Sequence, residues 1–164
     1  MSSYRNIEDS RTKPLRLWMC ASFIAEIILL ATPYIAMTDQ NGVYYSKTIL
    51  ELILSMNVAD IKWIKMGILA IIFAIIPIVG FFFAAFDKNS CVKCAVGCIC
   101  SFAGIAVLTF AVPQFSSTMA VGAMLAMIVY LLIFMLSVSL ALKTIGVRAL
   151  KKQEEQKAKE HNEA

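Results

Sequence analysis

Four apolar runs, residues 17–37, 66–86, 94–112 and 119–142, constrain this chain more than any other feature. Each is about 19 to 24 residues long, and at 1.5 Å of rise per residue a helix of that length crosses the roughly 30 Å hydrocarbon core of a bilayer. Lipid offers the backbone no hydrogen-bond partners, so a crossing segment must satisfy its own amides, and a helix does so. The composition agrees. Of 164 residues, 60% are hydrophobic and only 16% charged, with a mean hydropathy of +0.76; a soluble domain carries about 25% charge. The connections are too short for a soluble domain. The expected fold is therefore all-α: a polytopic membrane protein with a four-helix bundle over residues 17–142. A cytoplasmic segment, residues 1–16, precedes it and a polar cytoplasmic tail, residues 143–164, follows.

Orientation follows from the cations beside the runs. Arg5, Arg11, Lys13 and Arg16 precede the first, Lys88 and Lys93 lie between the second and third, and Lys143, Arg148, Lys151, Lys152, Lys157 and Lys159 follow the fourth. The other side has only Lys47, Lys62 and Lys65. Both termini are thus expected in the cytoplasm, with the chain multi-pass in the plasma membrane. The net charge of +4 reflects this bias and does not point to nucleic acid. The first run is too long for a signal-peptide core and no Ala-x-Ala site closes it, so it reads as a retained span. Pro14 can open its helix, and Pro33 should loosen its outer end, with Thr32 available to the freed backbone.

The first outer connection has structure of its own. Asn41-Gly42 reads as a turn. Residues 46–56 read as a short amphipathic helix, with Thr48-x-x-Glu51 as a capping box and Asp60 as the N-cap of the second span. A helix so apolar must lie in the interface or fold over the bundle.

Glu26 is the most pointed residue, a single carboxyl near the middle of the first run. Placing an ionisable group there costs on the order of 2.5 kcal/mol or more. It is either a proton- or cation-exchanging group between helices, or a protonated side chain that hydrogen-bonds to Ser, Thr or a carbonyl and fixes helix packing. The run Ala25-Glu26-Ile27-Ile28 resembles the first helix of the small multidrug resistance exporters, four-helix proteins that exchange protons for cationic drugs on one membrane-embedded Glu. The likeness spans four residues and is one of mechanism, not of family. The chain departs from that pattern in its long first outer loop, its tail and its third span, which lacks the matching aromatic-glycine pattern.

Small residues mark the expected packing faces: Gly97, Ser101 and Gly104 in the third run, Gly122 and Ala126 at the start of the fourth. Five cysteines, Cys20, Cys91, Cys94, Cys98 and Cys100, fall near the cytoplasmic side. That position argues against thiol oxidoreductases of the vitamin K epoxide reductase type, which need outward-facing pairs. Cys91, Cys94 and Cys98 share a helical face that Cys20 can approach. This is a minor candidate for a soft metal, and free Cys packs equally well as a small hydrophobe. No resident metal or cofactor is expected, and no catalytic constellation can be assembled. The function expected is a non-enzymatic accessory or interaction subunit, packed against the bilayer and against a membrane-protein partner or a second copy. The alternative is a small proton-coupled exporter or channel built on Glu26. Reporter fusions at the two termini test the topology: both should report the cytoplasm, and an external C-terminus contradicts the reading.

Overall fold

The computed structural model describes residues 2–38, 44–57, 61–86, 90–111 and 118–163. In chain order these form α1 (Ser2–Leu29), β1 (Pro33–Thr38), β2 (Tyr44–Thr48), α2 (Ile49–Leu54) with a 3₁₀ turn at Ser55–Asn57, α3 (Ile61–Phe86), α4 (Ser90–Ala106) continuing as a π-helical segment at Val107–Ala111, β3 (Thr118–Met119) and α5 (Val121–Glu163). Among the described residues three helices are long and apolar enough to cross a membrane, over Ile64–Phe86, Cys91–Phe110 and Val121–Leu150. The protein is mostly helical and suited to a membrane.

The first run departs from expectation. Its helix stops at Leu29 and the rest of the run becomes strand, so it is not one 21-residue helix. Pro33 lacks an amide donor and disfavours helical geometry in the residue before it. The last turn tightens accordingly: the amides of Ala31 and Thr32 donate to the carbonyls of Ile28 and Leu29 at 3.2 and 2.8 Å. Thr32 Oγ1 also donates to Leu29 O at 2.6 Å, the role expected of it. At the other end Pro14 does not open the helix, because α1 begins at Ser2 and runs through it.

The all-α expectation needs a second correction. β1 is the centre of a three-stranded antiparallel sheet in the order β2-β1-β3. Its pairs include Ala36 with Ser46 on one side and Ala36 with Thr118 on the other. The Ala120 amide donates to Tyr34 O at 3.2 Å, so the sheet leads directly into α5. The short outer helix is shorter than residues 46–56, because Ser46 and Lys47 belong to β2. Its capping box is present: Glu51 N donates to Thr48 Oγ1 at 3.1 Å and Thr48 N donates to Glu51 Oε2 at 2.8 Å. Ile49 and Leu52 are buried. The Asn41-Gly42 turn and the Asp60 cap lie outside the described residues.

Each long helix buries a stripe with alternating steps of three and four residues. In α5 the stripe is Ala123, Ala126, Tyr130, Ile133, Ser137, Leu140, Thr144 and Val147; in α3 it is Met66, Ala70, Phe73, Pro77, Gly80 and Ala84. In α4 it is Cys94, Gly97, Ser101, Gly104 and Leu108, and in α1 it is Met19, Phe23 and Glu26, continuing to Leu30 beyond the helix end. Steps averaging 3.5 residues are those of left-handed, knobs-into-holes packing. The helices enclose one core in which α1 touches α3 and α5, and α4 touches the same two.

Glycines let the stripes approach closely. A Cβ at Gly80 would lie inside the ring of Phe23, one at Gly104 inside the ring of Tyr130, and one at Gly97 on the Ser137 hydroxyl. The packing residues expected in the third run and at Gly122 and Ala126 are all buried. Gly122 faces Thr32 Oγ1 and the Pro33 carbonyl.

Two glycines should respond oppositely to alanine. Gly80→Ala should destabilise by about 1–3 kcal/mol, because Phe23 fills the space a methyl needs. Gly146→Ala, where no atom lies within 4 Å, should stabilise by about 0.5–1 kcal/mol through helix propensity. Thermal unfolding in detergent measures both.

Candidate functional site: a buried carboxyl between two phenols

Glu26 occupies an inward position of the α1 stripe and is 0% exposed. Its neighbours on that stripe are apolar, Phe23 before it and Leu30 after it. Neither carboxyl oxygen has a hydrogen-bond partner among the described residues. The serines and threonines that sequence reasoning offered as partners are engaged elsewhere. Ser22, Ser101 and Ser137 donate to the carbonyls of Trp18, Gly97 and Ile133, at 2.9, 2.7 and 2.8 Å. Such back-bonding to residue i−4 satisfies a hydroxyl within its own helix.

Two tyrosines share the layer. Tyr34, on β1, and Tyr130, midway along the apolar part of α5, are each 0% exposed. Both hydroxyl oxygens, like the Glu26 carboxyl, lack a partner among the described residues. Glu26 lies near both phenols, and Tyr34 lies near Tyr130. Phe73 of α3 links the rings: its centroid is 5.4 Å from that of Tyr34 and 5.9 Å from that of Tyr130, both edge-on. From α4, Gly104 leaves room for the Tyr130 ring and Cys100 lies near it. Four long helices and the sheet thus meet at one polar layer inside an apolar core.

Sequence reasoning found Glu26 and missed both phenols, since Tyr34 fits an interfacial aromatic belt. A tyrosine in the middle of a run as apolar as that around Tyr130 is the available signal, because a buried phenol usually finds a hydrogen-bond partner. An apolar cavity of ≈ 20 Å³, lined by Tyr34, Ile49, Leu52, Met66, Phe73 and Leu108 among others, has room for about one water.

The cysteines lie at the opposite end. Cys91 is exposed, Cys94 buried and Cys98 half-buried, and Cys91 and Cys98 both lie near Cys94 along α4. Cys20 lies near Lys93. Among the described residues no three cysteine, histidine or acidic side chains are placed to hold a metal ion. Lys93 is 5% exposed and its Nζ donates to Ala84 O at 2.6 Å. A cation there meets the exposed carbonyls at the C-terminal end of α3, where the helix dipole favours positive charge.

Comparison with protein-family profiles, curated proteins and solved structures finds no match. What the site can do therefore rests on its chemistry. A carboxylate with no counter-charge is costly in such a layer, whereas a carboxylic acid has one O–H to donate and an oxygen to accept with. The burial order along α4 can be checked directly. Cys91 should react with a maleimide in the folded protein, and Cys94 and Cys100 should react at least tenfold more slowly until it is unfolded. Equal rates would show that α4 is rotated from this arrangement.

Proposed function

We propose that the chain is a four-span integral membrane protein of the plasma membrane, with both termini cytoplasmic, that works as a non-enzymatic accessory or interaction subunit. α1 is read as the fourth span. Between Leu17 and Leu29 it turns Leu17, Trp18, Ile24 and Ile28 outward and Glu26 inward, as a lipid-facing helix does. The turn after Leu29 and the first residues of β1 complete the crossing.

The observation that carries the subunit reading is the length of α5. Its 43 residues rise about 64 Å, twice the hydrocarbon thickness. The buried stripe ends at Val147, and Lys152, Gln153 and Gln156 beyond it are exposed. A helix that is polar all round and buries little of itself is marginal in water. A partner or a second copy that packs along it supplies what is missing. The apolar exterior of the spans faces lipid, which is the other partner.

A proton-coupled exporter or channel is the second reading, favoured by the unpartnered burial of Glu26. Isolated in a gentle detergent from its own membrane, the full chain should carry a partner or a second copy, and removal of residues 153–164 should lose it while the bundle stays folded. A chain that stays alone and monomeric contradicts the subunit reading. In liposome flux, Glu26→Gln as active as the wild type would remove the exporter.

A further inference from the structure

The outer side of α5 carries a stripe as regular as its buried one. Ile128, Leu132, Met135, Ser139 and Leu142 recur at alternating steps of four and three residues, and all are exposed. The same steps continue to Gly146, Ala149 and Gln153, which are exposed as well. These last three belong to a groove of ≈ 660 Å³, whose other lining residues among those described are Lys143, Val147 and Leu150. That volume lies in the range of small-molecule sites. At Gly146 no atom stands within 4 Å of the place a Cβ would take, so the groove is open there.

The groove stands where a bilayer turns polar. The apolar part of α5, Val121–Leu150, has 30 residues and rises about 45 Å, roughly 15 Å more than a hydrocarbon core. About 20 residues from Val121 exhaust that core near Leu140. Lys143 and Gly146 then lie at the level of lipid headgroups, while Leu142 and the stripe before it lie along the acyl chains. From Val121 to Gln153 the helix has no Asp or Glu, and Lys143 is its first cation. Lys143 is exposed at the membrane end of the groove, where its ammonium can meet a phosphodiester. The described lining holds no carboxylate to meet the ammonium of a zwitterionic headgroup.

We propose that this groove seats one anionic phospholipid. The phosphate sits on the Lys143 ammonium, the headgroup alcohol lies over Gly146, and an acyl chain follows the stripe from Leu142 back to Leu132. Binding is a charge-assisted contact joined to apolar burial, and no covalent bond forms or breaks. Arg148 and Lys152 are exposed cations of the same helix that do not line the groove, and they attract an anionic surface only diffusely. The site needs only that α5 crosses the membrane. It is separate from the subunit reading, whose tail begins where the groove ends at Gln153.

The test uses the full-length protein in detergent micelles holding equal amounts of phosphatidylglycerol and phosphatidylcholine, with retained lipid read by native mass spectrometry. The wild type should retain one phosphatidylglycerol in preference to phosphatidylcholine by about fivefold, as one well-placed cation allows. Lys143→Gln should abolish the preference by removing the charge, and Gly146→Leu by filling the groove. Arg148→Gln and Lys152→Gln should leave it within about twofold, since neither lines the groove. Inorganic phosphate in excess should not displace the lipid. Circular dichroism establishes that each variant is folded, and if Gly146→Leu is not, Ala149→Leu fills the same groove. Equal retention of the two lipids, an equal loss in all four variants, displacement by inorganic phosphate, or a second copy in place of the lipid overturns the proposal. None of these outcomes alters the truncation experiment above, so the two readings fail separately.

Discussion

Close approach of helices without a hydrophobic drive is the constraint on which the rest of the structure depends. Lipid tails are as apolar as leucine, so spans gain little by hiding apolar surface from them and associate through packing and hydrogen bonds instead. This bundle meets the constraint by seating large side chains over glycines. Phe23 lies against Gly80 and Tyr130 against Gly104, while Ser137 lies against Gly97 and reaches Met19 Sδ at 3.6 Å. These pairs join α1 to α3 and α5 to both α4 and α1, which is why one regular inward stripe appears on every helix.

The same device brings polar atoms inward. A ring large enough to fill a glycine notch at mid-span is here a tyrosine, and its hydroxyl enters the core with it. Glu26 stands at the corresponding level of α1, and Pro33 ends that helix early enough to lay Tyr34 into the same layer. A carboxyl that would be costly in lipid is thereby enclosed by protein and given two phenols within electrostatic reach. The sheet then closes this end of the bundle, with β1 between β2 and β3 and Gly122 fitted against the turn that precedes it.

How much of this could be read from the residues depended on how far their physics is local. Run length identified the three helices that are long and apolar enough to cross a membrane, because hydrocarbon thickness sets a length that sequence alone must match. The small-residue face of α4 was legible at Gly97, Ser101 and Gly104, and the capping box at Thr48 and Glu51, since each is a short-range pattern. The inward stripe of α3 was not, and that of α5 was marked only at Ala126. A span apolar on every side carries no hydrophobic periodicity, and only scattered small or polar residues such as Gly80, Ser137 and Thr144 mark its inner face. The sheet was missed for a different reason. Asn41-Gly42 between two tyrosine-bearing segments is a recognised hairpin signal, yet the apolar character of residues 34–37 extended the preceding helix instead. Tyr34 and Tyr130 both pack edge-on against Phe73 from almost a hundred residues apart in the chain, which no local pattern reports.

A double-mutant cycle across Gly104 and Tyr130 tests the seating of rings over glycines most directly. Stability is measured for the wild type, Gly104→Ala, Tyr130→Ala and the double variant, all in the same detergent. If the ring occupies the space that a Cβ at Gly104 needs, the alanine should cost far less once the ring is removed, giving a coupling of about 0.5–3 kcal/mol. Strictly additive effects would mean that the ring and the glycine do not meet, and would contradict the account of how this bundle is held together.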